Sequence, residues 1–77
     1  MNPTYFVETL KRIIESGYAT KEILLTIMGI NMATIQYNLV LLLDNKLIME
    51  LGYDGKAYYM ATVEGHNWYE KVKDFKF

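Results

Sequence analysis

The sequence predicts a mainly helical α+β domain: three helices, a two-stranded hairpin and a C-terminal helix. Three observations predict it. Apolar residues recur at helical spacing through roughly the first 45 positions. The pattern then gives way to two short apolar runs that flank Asp54-Gly55, the dipeptide most favoured in tight hairpins. Helical spacing returns after Thr62. With 77 residues there is room for one such domain, spanning the whole of 1–77.

The first helix opens at Asn2-Pro3. Asn is a good N-cap, and Pro suits the first helical position because its missing N–H is not needed there. Phe6, Leu10, Ile13 and Ile14 share one face, while Glu8, Lys11, Arg12 and Glu15 fall largely opposite. Glu8 with Arg12, and Lys11 with Glu15, are i,i+4 pairs of opposite sign. Gly17 stops the helix. Thr20 caps a short second helix whose apolar face is Ile23, Leu24, Ile27 and Met28. Gly29 ends it, Ile30 follows, and Asn31 caps a third helix over 32–45. Two helices joined by a tight Gly-containing turn are the signature of a helix-turn-helix. On the third helix Ile35, Leu39 and Leu42 form a narrow apolar arc. The outer side of its first two turns is small or polar and carries no charge.

Residues 47–51 and 57–61 read as the two strands, with 53–56 as the turn. Both runs are too apolar for a clean in–out alternation. Thr62 then caps the last helix, on which Trp68, Val72 and Phe75 recur at i, i+4 and i+7 beside Tyr69. Lys71, Lys73 and Lys76 cluster near its C-terminal end, where cations suit the helix dipole.

This order is the winged-helix arrangement, and particular residues carry a resemblance. Thr34 and Ile35, Leu39 four residues on, and the ending Lys46-Leu47-Ile48 resemble the recognition helix and first wing strand of small prokaryotic regulators. Lys46 stands where those proteins usually have glycine. Tyr59-Met60-Ala61-Thr62-Val63-Glu64-Gly65 resembles the "Tyr-x-x-Thr-x-x-Gly" that closes the wing and opens the last helix. Gly17-Tyr18-Ala19-Thr20-Lys21-Glu22-Ile23 is similar to the approach to their second helix. The likeness, over roughly residues 10–75, is to archaeal winged helix-turn-helix regulators, including those carried by plasmids and viruses. It implies a cytoplasmic, sequence-specific binder of double-stranded DNA that regulates transcription by occluding or bending promoter DNA.

On that resemblance the DNA-facing residues are Asn31, Thr34, Gln36, Tyr37 and Asn38 on the recognition helix, Lys21 at the start of the second helix, and Tyr53 and Lys56 on the wing. Gln pairs bidentately with adenine, Thr bonds a base edge or touches a thymine methyl, and Tyr OH reaches phosphate. Lys21 and Lys56 supply phosphate contacts. Relatives often carry Lys or Arg at positions 36 and 37, whereas this chain has uncharged residues there. The plainer reading makes these residues a solvated helix face and ordinary turn chemistry.

The formal net charge is −1, and residues 1–45 hold three cations against four carboxylates. That excludes a strongly basic polyanion binder. One copy neutralising about three phosphates gives a salt slope of about −3, so useful affinity favours a homodimer. Trp68, Tyr69, Val72 and Phe75, with Phe77, are the candidate dimer contact; alternatively they pack on the first helix. Winged helices also dock proteins, so a protein-interaction module is the competing class. A single-strand binder stacking bases on Tyr53, Tyr58 and Tyr59 is a third. Zero cysteines fit a reducing compartment and leave no thiolate site. His66 is the only histidine, so no metal or other cofactor is expected. With one serine and no Gly-rich phosphate loop, no enzyme is expected either. Neither a membrane span, a signal peptide nor a small-molecule pocket is expected.

Overall fold

A computed structural model describes residues 3–75. The elements are α1 (Pro3–Ser16), α2 (Lys21–Met28), α3 (Met32–Asp44), β1 (Ile48–Tyr53), β2 (Lys56–Ala61) and α4 (Val63–Val72). The expected Asn2 cap, Lys76 and Phe77 lie outside the described residues.

Short polar caps begin the helices. The Thr20 hydroxyl accepts the Ile23 N–H at 3.1 Å, the Asn31 Oδ1 accepts that of Thr34 at 2.8 Å, and the Thr62 hydroxyl accepts that of Gly65 at 2.9 Å. Each satisfies one of the first-turn donors that lacks a helical acceptor. Gly29 ends α2 in the left-handed region (φ 65°), which glycine adopts without a Cβ penalty. On α1, Arg12 pairs with Glu8 at 2.7 Å as its spacing predicts. No Lys11–Glu15 ion pair is found among the described residues, and Glu15 instead lies 4.0 Å from Arg12.

The end of α3 is a Schellman turn with Lys46 in the position glycine favours. The Lys46 N–H donates to Leu43 and the Leu47 N–H to Leu42 (3.0 and 2.9 Å), with Lys46 at φ 60°. The lysine thus occupies a left-handed backbone at a cost of about 1 kcal/mol. This turn draws Leu47 out of the strand where the apolar run placed it. Its N–H is used by α3 and its carbonyl by Thr62. β1 therefore starts at Ile48.

The strands pair antiparallel from Ile48↔Ala61 to Tyr53↔Lys56. Pairing runs right up to a two-residue turn, Asp54-Gly55, with φ 51° and 77°. Positive φ at both positions matches the right-handed twist of the strands. Ala19 adds one bridge on the far side of β2, exchanging both backbone bonds with Tyr59.

The core is Leu10 and Ile13 of α1, Leu24 of α2, Ile35, Leu39 and Leu42 of α3, with Ala19, Leu47, Ile48 and Tyr59. Two expected faces are corrected. On α2 only Leu24 is buried and Met28 half-buried, while Ile23 and Ile27 are exposed. Helix α2 is just over two turns long and leans on α1 and α3 along one side only. The last helix stops at Val72, so Phe75 lies beyond it and in solvent. Trp68 meets Phe6 edge to face at 5.5 Å, locking α4 to α1.

Candidate nucleic-acid interface

Helices α2 and α3 cross at 119° across the Gly29–Asn31 turn. That is the geometry in which the first helix supports the second and leaves its outer face clear. The support is apolar: Ile35, Leu39 and Leu42 face inward with Leu24. The outer face of α3 therefore presents Ala33, Gln36, Tyr37 and Val40, all exposed, with Thr34 half-buried at its edge. No lysine or arginine lies on α3.

Asn31 is exposed, but its Oδ1 is held by the cap. Asn38 is corrected. It is 1% exposed and turned inward, its Nδ2 donating to the Thr34 carbonyl at 2.9 Å. Its Oδ1 is buried without a hydrogen-bond partner. Position 38 flanks Leu42 at the edge of the inward arc of α3 and is buried there, so a groove contact is closed to it. The inward arc of α3 thus extends one position beyond its apolar residues.

Lys21 and Lys56 are brought together. With Glu22, Gly55 and Ala57 they line a cleft of about 280 Å³ between the start of α2 and the wing turn. Among the described residues neither lysine has an ion-pair partner, whereas Arg12 and Lys73 do. Two cations at the capped end of a helix suit an anionic oxygen. Glu22 in the same cleft offsets part of that charge, a contribution that spacing along the chain did not reveal.

Tyr53 falls elsewhere. It joins Tyr18, Leu51, Tyr58 and Met60 around a separate apolar cleft of about 340 Å³ on the outer face of the hairpin. Tyr18 meets Tyr58 there at 5.6 Å. Tyr59 faces the opposite way. Burial pushes its phenol up to about 12, assisted by the hydrogen bond and charge of Glu50 and by Glu22.

Of the expected dimer residues, Trp68 and Tyr69 lie against the core and Val72 is half-buried; Phe75 is 65% exposed. Among the described residues no group of three or more His, Asp or Glu is placed to hold a metal ion. No single described helix is long and apolar enough to cross a membrane.

The fold is the winged helix, shared with two solved structures. MarR of E. coli, in its oxidized form, superposes with a TM-score of 0.81 at 15% identity, over 92% of this chain and 52% of that one. BpsR of Bordetella bronchiseptica, whose DNA binding is regulated by 6-hydroxynicotinic acid, superposes at 0.83 and 20% identity, over 97% and 54%. The chain thus spans about half the length of these proteins. No family model matches the sequence, and no curated protein does either.

Proposed function

We propose that this chain binds double-stranded DNA and regulates transcription, in the manner of the small winged-helix regulators its sequence resembles. The outer face of α3 enters the major groove, with Gln36, Tyr37 and Thr34 at the base edges and the Asn31 cap at its leading end. Lys21 and Lys56 hold the phosphate backbone on either side of their shared cleft. Tyr53 is not needed for this contact. The carrying observation is that cleft: residues 35 positions apart converge as two unpaired cations beside a helix-turn-helix whose outer face is clear. BpsR, at similar backbone geometry, is a DNA-binding protein. Bound at a promoter, the domain acts by occlusion or bending.

A protein-recognition role is the second reading, favoured by the absence of cations on α3 and by the net charge of −1. Fluorescence anisotropy with labelled duplex at about 50 and 200 mM salt separates the two. A DNA binder of about three phosphate contacts loses affinity with a slope near −3 per copy. Absence of binding by the folded protein at the lower salt overturns the proposal.

A further inference from the structure

We infer that the open edge of β1 is the contact surface for a second copy of this chain, paired antiparallel about a twofold axis at Leu51. Tyr59 spends its N–H and C=O on Ala19, so both point away from β1. Its partner Glu50 is then in a non-hydrogen-bonded pair, and by alternation the N–H and C=O of Glu50 and Gly52 point outward from the hairpin. Among the described residues β1 takes its backbone bonds from β2 alone. Such an edge is a template for another strand.

The side chains beside it are apolar. Met49, Leu51 and Tyr53 alternate onto the outer face, across from Met60 and Tyr58, while Tyr18 lies beyond β2, away from this edge. Met49, Leu51 and Tyr53 are 45, 44 and 74% exposed. At about 200 Å² for a large side chain they offer roughly 330 Å² per copy. Two copies offer roughly 650 Å² of side chain, to which the edge backbone adds, the size of a weak, reversible contact.

Charge selects the register. Centring the axis on Glu50 sets two carboxylates face to face, and centring it on Gly52 sets Glu50 against Asp54. Centring it on Leu51 gives the longest overlap free of both clashes. Met49 then faces Tyr53 of the partner, and Glu50 faces glycine, which has no side chain to collide with. Four backbone hydrogen bonds form between Glu50 and Gly52 of the two copies. The contact is isologous and closes at two. It uses neither Lys21, Lys56 nor the outer face of α3, so it stands apart from the DNA reading and is tested without DNA.

The natural chain has no cysteine, so single-cysteine variants are clean probes. In the full chain, Leu51→Cys places two sulfurs across a non-hydrogen-bonded pair with Cα atoms about 4.5 Å apart, within disulfide range. Under mild oxidation at tens of micromolar it forms a covalent dimer at least tenfold faster than Glu70→Cys, an exposed position on α4, and than Met49→Cys, which faces Tyr53. Sedimentation of the natural chain from about 1 to 200 μM shows a monomer–dimer equilibrium. Leu51→Lys, on a solvent face and checked for folding by circular dichroism, weakens it at least tenfold. A natural chain that stays monomeric at about 200 μM overturns the inference. Cross-linking of Leu51→Cys no faster than Glu70→Cys overturns it too, and equal cross-linking of Met49→Cys overturns the register.

Discussion

Replacing Gly65 with alanine places a methyl group where the first turn of α4 rests on the backbone of Leu47. An ideal Cβ at this position overlaps the Leu47 carbonyl oxygen and lies 2.9 Å from its carbon. Both neighbours are backbone, so no side chain can swing aside. The contact is held by the Thr62 N–H donating to Leu47 (3.0 Å) and the Thr62 hydroxyl donating to Lys46 (2.7 Å). Relieving the overlap means lifting α4 by about an ångström and stretching both bonds. At about 1 kcal/mol each for the bonds and 1–3 kcal/mol for overpacking, less about 1 kcal/mol of helix propensity gained by alanine, the net loss is about 2–4 kcal/mol. A 77-residue domain has roughly 4–11 kcal/mol in total. The midpoint of thermal unfolding should fall by at least about 10 °C. Urea titration followed by Trp68 fluorescence measures the loss, since that ring sits on Phe6 only while α4 is docked. Asn67→Ala, at an exposed position of the same helix, is the control. A Gly65→Ala protein within about 0.5 kcal/mol of the natural chain would refute this account of the Thr-x-x-Gly motif.

Three further outcomes are expected. Lys46→Gly relieves a left-handed residue at φ 60° and stabilises by about 0.5–1 kcal/mol in the same urea titration. Tyr59 keeps its proton to about pH 12 in the folded chain but ionises near 10 when unfolded. Stability should therefore be insensitive to this group below pH 10 and fall between pH 10 and 12 by about 2–3 kcal/mol, as the unfolded state alone loses the proton; Tyr59→Phe removes that share of the alkaline loss in urea titrations across this range. In DNA titrations, Lys56→Ala weakens all sequences about equally and flattens the salt slope by about 1, whereas Gln36→Ala costs about 1–3 kcal/mol at one base position only. Equal losses for Gln36→Ala on specific and random duplex remove Gln36 from base readout.

Local chemistry made much of the fold legible. A cap needs one side-chain oxygen near one N–H three residues on, so Thr20, Asn31 and Thr62 announce their helices without reference to anything distant. The Asp54-Gly55 turn needs only two residues tolerant of positive φ. The resemblance pointed to a glycine position at 46, and the backbone there is indeed left-handed, though lysine occupies it. Of the candidate interface, the exposed Gln36 and Tyr37 followed from helical periodicity around a core stripe.

What remained hidden depends on residues far apart in the chain meeting. Asn38 looks like an outer-face residue beside Gln36 and Tyr37, yet the packing of α3 closes over it. The strands carry apolar residues on both faces, and periodicity cannot say which face receives the helices. Docking on α1 and α3 buries Ile48 and Tyr59 and leaves Met49, Leu51 and Tyr53 outside. The convergence of Lys21 with Lys56, and of Glu22 with both, has the same origin. Caps, turns and periods are energies between neighbours a few residues apart, and the order of side chains is enough to state them. Which apolar face is covered, and which charges share a cleft, are energies between segments tens of residues apart, and these have no definite value until the chain has closed on itself.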